Sequence, residues 1–403
     1  MSRLRFSLTE WKILALLAAV QFAHIVDFMI IMPLGPQLMR LLQISPSEFS
    51  LLVSSYTFCA GATGLISALV LDHFDRKRSL IVCFIGFGIG TLACALTDRF
   101  STLLLARCLT GAFGGLLGSQ VFAIVGDAIA PQLRGAATGI VMGSFSLASI
   151  FGVPLSLFLA THGSWQSPLY ALAALSVGIT FLLIMWLPSQ KVHLDIKASP
   201  WTFLRSVPSL HRPRMAIALM VCIVLGQFSM IPFLSPSLVA NTGMTEAQLP
   251  LLYLFGGAAS MVSSPWIGRL CDRYSPMKVL IWGASISIVP VVLITNMPPV
   301  PVWIAISACT LFFVSMGGRI VPTMTLVTGS VLPKNRGAFM SLVTAMQQFA
   351  AAGGSWIAGH IIKQDSSGHL IHYPWVGGLC VLLTVLALGI AYRLRHEPAQ
   401  IEF

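Results

Sequence analysis

Residues 27–38 read DFMIIMPLGPQL, and residues 227–238, two hundred positions later, read QFSMIPFLSPSL. The two stretches share Phe, Ile, Leu, Pro and Leu at equivalent positions. The same shift places LVLDHFDRKRSLI (69–81) on RLCDRYSPMKVLI (269–281), and a shift of 202 places PQLRGA (131–136) on PKNRGA (333–338). Several matches at one near-constant offset predict that the chain contains two copies of one structural unit.

The composition indicates an integral membrane protein. Of the 403 residues, 56% are hydrophobic and 9% are charged, whereas a soluble domain carries about 25% charged residues. A transmembrane helix needs roughly 20 apolar residues. The apolar runs therefore predict an all-α fold of twelve transmembrane helices near 11–36, 47–71, 79–97, 101–126, 135–161, 168–187, 215–240, 247–270, 277–297, 301–328, 337–362 and 371–392. The first run is too long for the apolar part of a signal peptide, and we expect it to be a retained span.

The basic residues predict the orientation. If the N-terminus is cytoplasmic, the cytoplasmic segments hold 19 of the 24 Lys and Arg residues, the outer loops hold Arg40, Arg99 and Lys363, and the spans hold Arg107 and Arg319. This excess on one side follows the positive-inside rule and predicts that both termini are cytoplasmic. The net charge of +11 is then an orientation signal, and no nucleic-acid partner is expected.

One long polar segment, 188–214, divides the chain. It carries five basic residues, one acidic residue and four prolines. We interpret it as a cytoplasmic linker between an N-terminal six-helix bundle (1–187) and a C-terminal six-helix bundle (215–403). Because each bundle has six spans, both start on the same side, which makes them parallel repeats with a site expected between them near the membrane midplane.

The loop after the second span carries a resemblance to the major facilitator superfamily. The family pattern is G-x-L-a-D-r-x-G-r-k, and residues 68–77 read ALVLDHFDRK, with Asp72, Arg76 and Lys77 in place and both glycines replaced. The second copy, GRLCDRYSPMK (268–278), keeps Asp272 and Arg273. The fourth span, LLLARCLTGAFGG (103–115), is similar to the family pattern of an arginine followed by glycines.

Two spans indicate the branch of the family. Residues 27–36 resemble the acid-to-proline segment of twelve-span drug:proton antiporters. The fifth span has Gly152, Val153 and Pro154, closer to arabinose-efflux-like permeases than to the G-x-x-x-G-P of antiporters. The resemblance implies a monomeric, multi-pass transporter of the inner (plasma) membrane that moves a small solute by alternating access, with the proton as coupling ion and no other cofactor.

Charged residues at the cytoplasmic ends of the spans are candidates for gating. The resemblance implies that Asp72, Arg76 and Asp127 form a cluster that latches the halves in one state. Ion pairs at a water-accessible edge are worth only about 0–1 kcal/mol, which suits a latch that must break in every cycle. The alternative role is topology and helix capping alone. The full set of gating candidates is Asp72, Arg76, Lys77, Asp127, Asp272 and Arg273.

Asp27 and Arg107 are candidates for proton coupling. Both fall in the outer halves of their spans, and their similar depth predicts a direct or water-mediated pair. His24 lies one helical turn before Asp27, and we expect this face to look into the cavity between the halves. Asp27 falls on Gln227 of the second copy, so the architecture alone does not demand an acid there. The alternative for Arg107 is that it extends to the outer headgroups.

Arg319 lies in the tenth span within GGRIVPT (317–323). Gly317, Gly318 and Pro322 predict a locally irregular helix, and a charge at a broken helix facing a cavity can bind an anionic solute group. A structural counter-ion is the equal alternative. The substrate-binding candidates are Asp27, Arg319, Gln120, Gln227, Gln347, Tyr56 and Tyr253. His369 and His372 are too weak a signal to predict a metal site.

Three functions compete. The first is a proton-coupled exporter of a small amphipathic or sugar-like solute, including multidrug efflux. The second is a uniporter or proton symporter that imports a small anionic metabolite. The third is a membrane enzyme or receptor, disfavoured because the sequence has no catalytic constellation and no large soluble domain, so we do not expect an enzyme.

Overall fold

The structure, a computed structural model, describes residues 6–70, 74–130, 132–189, 207–332 and 336–396, and these residues are almost entirely helical. The helices of the first sequence half are α1 (Leu8–Ile30), α2 (Gly35–Leu42), α3 (Pro46–Val70), α4 (Arg76–Ala95), α5 (Phe100–Ala128), α6 (Arg134–Leu147), α7 (Val153–His162) and α8 (Ser167–Trp186). Those of the second half are α9 (His211–Thr242), α10 (Leu249–Tyr274), α11 (Pro276–Thr295), α12 (Val302–Thr328), α13 (Arg336–Ile361) and α14 (Tyr373–His396). A two-stranded antiparallel hairpin, β1 (Lys363–Gln364) and β2 (Leu370–Ile371), precedes α14.

Helices occupy all twelve predicted spans. Among the described residues, ten of them are long and apolar enough to cross a membrane. The predicted spans 247–270 and 337–362 correspond to α10 and α13, each 26 residues long. The prediction of a multi-helix membrane protein is confirmed, whereas the count of twelve crossings and the side of the termini remain predictions.

Prolines shape two of the spans. α1 begins with a capping box in which Ser7 and Glu10 satisfy each other's backbone N–H groups. It ends at Ile30, and α2 begins after a short turn that contains Pro33, because proline lacks an N–H and its ring clashes with the preceding turn. In the fifth span a π-helix, Ala148–Gly152, joins α6 to α7 just before Pro154. Such an insertion accommodates the backbone groups that proline leaves unpaired.

The irregular helix predicted around Arg319 is wrong. α12 runs unbroken through Gly317, Gly318 and Pro322. A Cβ added at Gly283 of α11 would lie 2.2 Å from the Gly318 carbonyl oxygen, so these glycines permit a close helix contact instead of a break. Membrane helices tolerate an internal proline when neighbouring groups compensate for the missing hydrogen bond.

The chain divides into two compact units. The first contains Met1–Ile31 and Ser55–Ala198, and the second contains Met32–Ser54 and Ser199–Phe403. The segment Met32–Ser54, predicted within the N-terminal bundle, thus belongs to the second unit by its contacts. Of the predicted linker 188–214, residues 190–206 lie outside the described residues.

Each unit has its own apolar core. In the first, buried side chains of α1, α4, α5 and α8 form one cluster that includes Leu17, Phe84 and Leu183. In the second, α9, α13 and α14 contribute Leu219 and Phe339, among others, to a separate cluster. Van der Waals packing of the buried side chains in these two clusters is the main interaction that holds the helices of each unit together.

Candidate functional site

A buried ion pair lies inside the first unit. Asp27 on α1 has no exposed surface, and Arg107 on α5 is 1% exposed. Arg107 Nη1 donates to Asp27 Oδ2 at 2.9 Å. Thr91 on α4 donates its hydroxyl to Asp27 Oδ1 at 3.0 Å. The pair expected from the similar depth of the two residues is present, and both carboxylate oxygens accept a hydrogen bond.

Small residues let the helices around this pair approach closely. A Cβ added at Gly90 of α4 would lie 2.9 Å from the Cα of Thr110 on α5. One added at Gly111 of α5 would lie 2.3 Å from the carbonyl oxygen of Tyr56 on α3. The glycines that follow Arg107 therefore serve helix packing, the usual role of small residues in membrane helices.

Tyr56 covers one face of the arginine. Its side chain is fully buried, and its ring centroid lies 4.3 Å from Arg107 Cζ. This is a cation–π contact, which gains strength when the groups are desolvated. The Tyr56 hydroxyl has no hydrogen-bond partner. The aromatic face thus helps to hold a guanidinium group that has little access to water.

His24 lies beside the pair without binding to it. Its ring centroid is 6.5 Å from that of Tyr56 and 6.1 Å from that of Phe87, and neither ring nitrogen has a hydrogen-bond partner. The polar partners of Asp27 lie on α4 and α5 of the first unit, and its side chain is completely enclosed. The expectation that this face looks into a cavity between the halves remains a prediction. A charge at this depth requires a partner, and Arg107 turns the carboxylate inward.

Within the pair, only the carboxyl group can exchange a proton at physiological pH. Arginine stays protonated in proteins. Burial disfavours the charged form of a carboxyl group, whereas an adjacent guanidinium and donated hydrogen bonds favour it. The contacts that Arg107 and Thr91 make with Asp27 are therefore the contacts on which proton affinity depends.

The gating candidates are only partly joined. Arg76 Nε donates to Asp127 Oδ2 at 2.5 Å, and Lys77 Nζ donates to the backbone oxygen of Ile184 at 2.9 Å. Asp72, the third member of the expected cluster, lies outside the described residues. In the second copy, Asp272 and Arg273 are exposed near the end of α10, and the Arg273 guanidinium lies 5.3 Å from the ring centroid of Tyr274.

Arg319 has neutral surroundings. It is fully buried on α12, and Nη1 donates to Thr384 Oγ1 of α14 at 3.3 Å and lies 3.8 Å from Cys380 Sγ. Nε and Nη2 have no hydrogen-bond partner. Within the described residues, no carboxylate lies within ion-pair distance of this guanidinium.

The remaining substrate candidates are distributed over both units. Gln120 of the first unit and Gln227 of the second are buried, and each has a side-chain oxygen without a hydrogen-bond partner. In the second unit, Gln347 Nε2 lies 3.1 Å from Met220 Sδ, and the hydroxyl groups of Tyr253 and Ser235 lie 2.9 Å apart.

Sequence reasoning missed the threonines of both arginine sites, Thr91 and Thr384. Threonine is common in apolar spans, where its hydroxyl usually bonds to the backbone of its own helix, and nothing in the sequence separates these two from the rest.

Comparison with known proteins identifies the class. The model of the Major Facilitator Superfamily matches residues 17–355 and 216–402. The chain belongs to this superfamily.

The chain is similar to the uncharacterized MFS-type transporter YwfA of Bacillus subtilis, with 27% identity over 94% of this chain and 91% of the relative. It is 27% identical to the inner membrane transport protein YdhP of Escherichia coli K12 over 60% of this chain and 62% of that protein. A solved bacterial homologue of the human lysosomal transporter Spinster shares the fold, with a TM-score of 0.77, 14% identity, and coverage of 97% and 98% of the two chains. The protein is thus a multi-pass membrane transporter and not an enzyme.

Proposed function

We propose that this transporter is proton-coupled and that Asp27 is the carboxyl group that binds and releases the coupling proton. The observation that carries the proposal is the enclosed Asp27–Arg107 pair, with Thr91 on the second carboxylate oxygen. An ion pair enclosed to this degree is costly to maintain and is weak support for a role in stability alone. In a transporter, intramembrane ionisable residues commonly belong to ion or proton pathways.

A movement of one helix can change the proton affinity of Asp27. Asp27 and Arg107 lie on different helices, α1 and α5. A state in which these helices shift apart leaves a buried carboxyl group without its cation, and such a group takes up a proton because burial disfavours its charged form. Restoring the contact releases the proton. Solute binding that favours one helix arrangement then becomes coupled to proton binding.

His24 is the proposed relay for the Asp27 proton. It precedes Asp27 by one helical turn, and both of its ring nitrogens are buried without a hydrogen-bond partner. Imidazole can accept and donate a proton near neutral pH, which suits a relay between the buried carboxyl group and the solvent.

The proposed cycle exports a small amphipathic or sugar-like solute across the inner membrane. The resemblance of residues 27–36 to proton antiporters supports export, and the relative YdhP supports the inner membrane. The Arg76–Asp127 pair is the proposed latch of the first copy, with Lys77 beside it. The protein acts as a monomer with the proton as its coupling ion.

The second candidate is import of a small anionic metabolite. The buried, unneutralised guanidinium of Arg319 favours it, because an anionic solute group would balance that charge. Export and import differ in the direction in which protons move when solute enters a vesicle.

The experiment uses proteoliposomes with a pH-sensitive dye inside and a solute chosen by a thermal-shift screen. If the protein is an antiporter, solute entering the vesicles drives protons out and makes the lumen alkaline. A proton symporter makes the lumen acidic. Solute entry with no change of luminal pH contradicts proton coupling in either direction.

A further inference from the structure

Among the described residues of the second unit, Arg319 is a buried cation whose polar contacts are all with neutral groups. Arginine cannot escape burial by losing its proton, and a buried charge without a partner costs several kcal/mol in proteins. Within the helices α9–α14 themselves, Asp272 is the only acidic residue, and it is exposed near the end of α10, whereas Glu246 and Asp365 lie in the connections between helices. The helices that surround Arg319 therefore cannot supply a carboxylate to it.

The unsatisfied atoms of Arg319 form one edge of the guanidinium group. Nη1 is used by Thr384, whose own hydroxyl hydrogen is donated to the backbone oxygen of Cys380 at 2.8 Å. The two nitrogens without partners are Nε and Nη2. These two N–H groups point the same way in the plane and match the two oxygens of a carboxylate in a bidentate pair.

A further hydroxyl group lies on the same helix face. Thr323 follows Arg319 by four residues, which places both on one side of α12. It is fully buried, and its Oγ1 has no hydrogen-bond partner. Arg319 and Thr323 thus both carry polar atoms without a hydrogen-bond partner on one buried side of α12.

We propose that the Nε–Nη2 edge of Arg319, together with the Thr323 hydroxyl, binds the carboxylate group of the transported solute. The proposal rests on the transport function and is independent of its direction and of the coupling proton. Arg319 is enclosed here, and its contacts with α14 are a long hydrogen bond to the neutral Thr384 hydroxyl and a contact with the Cys380 thiol. A carboxylate on the free Nε–Nη2 edge adds two shorter, charge-assisted bonds.

The test measures the melting temperature of the purified full-length protein with matched pairs of probes. Each pair joins a carboxylate with its neutral amide: benzoate with benzamide, phenylacetate with phenylacetamide, and hexanoate with hexanamide. A ligand that binds the folded state raises the melting temperature. We expect at least one carboxylate to raise it in a saturable manner while its amide does not.

Formate and chloride are additional probes. They distinguish a site for the carboxylate group of a larger solute from a site for a small free anion. If the site reads a solute, a carboxylate with an apolar body stabilises the protein at a lower concentration than formate does. If formate or chloride stabilises it equally well, the ligand is a free small anion and the proposal of a solute carboxylate is overturned.

Variants assign the effect to the site. Arg319→Gln and Arg319→Lys are expected to weaken carboxylate binding by at least about tenfold, because neither offers the bidentate edge. Thr323→Val weakens it less. Arg99→Gln, which changes an exposed arginine of an outer loop, leaves binding unchanged.

Two results overturn the proposal. One is that no carboxylate stabilises the protein more than its amide. The other is that Arg319→Lys or Thr323→Val, each folded as judged by its melting transition, binds the carboxylate as the parent does. Neither result bears on proton coupling, which Asp27 variants test in vesicles, so the two proposals can fail separately.

Discussion

Arg107 and Arg319 are both almost completely buried, but among the described residues only Arg107 has a counter-charge. Arg107 meets the Asp27 carboxylate and the face of Tyr56, whereas Arg319 meets a hydroxyl and a thiol group. The first arginine is therefore neutralised within its own unit, whereas the second has only neutral partners among the residues that the structure describes. The difference shows that burial of an arginine does not by itself define its role. Arg107 can control the proton affinity of Asp27, whereas Arg319 can bind an anionic group of the solute.

The largest expected difference between the two sites is in the free energy of unfolding after each arginine is replaced by methionine. Arg107→Met leaves Asp27 buried without its cation, and loss of one partner of a buried pair costs about 3–5 kcal/mol of the free energy of unfolding. Arg319→Met removes an uncompensated charge and replaces it with an apolar chain, so stability is expected to stay the same or rise. Denaturant unfolding in detergent micelles measures both.

Equal destabilisation by the two substitutions would contradict the comparison, since it would mean that Arg319 also has a counter-charge. Arg99→Gln is the control for loss of an exposed arginine, which we expect to change the free energy of unfolding by about 0.5 kcal/mol or less.

A smaller effect is expected at the hydroxyl group that completes the Asp27 site. Thr91→Val removes the hydrogen bond to Oδ1, and a hydrogen bond to a charged group is worth about 1.5–3 kcal/mol. Thr161→Val is the matched control, because the Thr161 hydroxyl bonds to the backbone of its own helix on an exposed surface. If both variants unfold at the same denaturant concentration, Thr91 does not support the carboxylate.

The smallest effect is expected at Tyr56. Its hydroxyl has no partner, so Tyr56→Phe keeps the aromatic face and changes the free energy of unfolding by less than about 1 kcal/mol. Tyr56→Leu also removes the cation–π contact, worth about 0.5–2 kcal/mol, and leaves a cavity. Denaturant unfolding of the two variants separates the contribution of the ring from that of the hydroxyl group. If both variants lose the same free energy of unfolding, the hydroxyl group, and not the ring, stabilises the Arg107 site.

Much of the fold could be predicted from the sequence, because helices in a membrane must satisfy their own backbone groups and therefore appear as long apolar runs. The break after α1 could be predicted from Pro33 and Pro36. The unbroken course of α12 could not, because whether a membrane helix tolerates Pro322 depends on neighbouring helices that the sequence does not place.

The candidate site was predictable in part for a similar reason. The depth of a residue in the membrane can be estimated by counting residues from the end of its span. The similar depths of Asp27 and Arg107 predicted their contact. The direction in which a side chain points depends on helix rotation, which is set by close contacts such as that of Gly111 with Tyr56. Without those contacts, Thr91 could not be recognised as a partner of Asp27.

The central claim is that the Asp27 proton is the one that moves, and Asp27→Asn tests it most directly. Asparagine keeps one oxygen that can accept from Arg107, and its amide N–H can donate to the Thr91 hydroxyl, but it cannot take up a proton. In proteoliposomes, two rates are measured for the same solute: uptake driven by an imposed pH gradient, and exchange of labelled for unlabelled solute without a gradient. We expect the variant to lose gradient-driven uptake while it retains exchange. Gradient-driven uptake equal to that of the parent protein would contradict the claim.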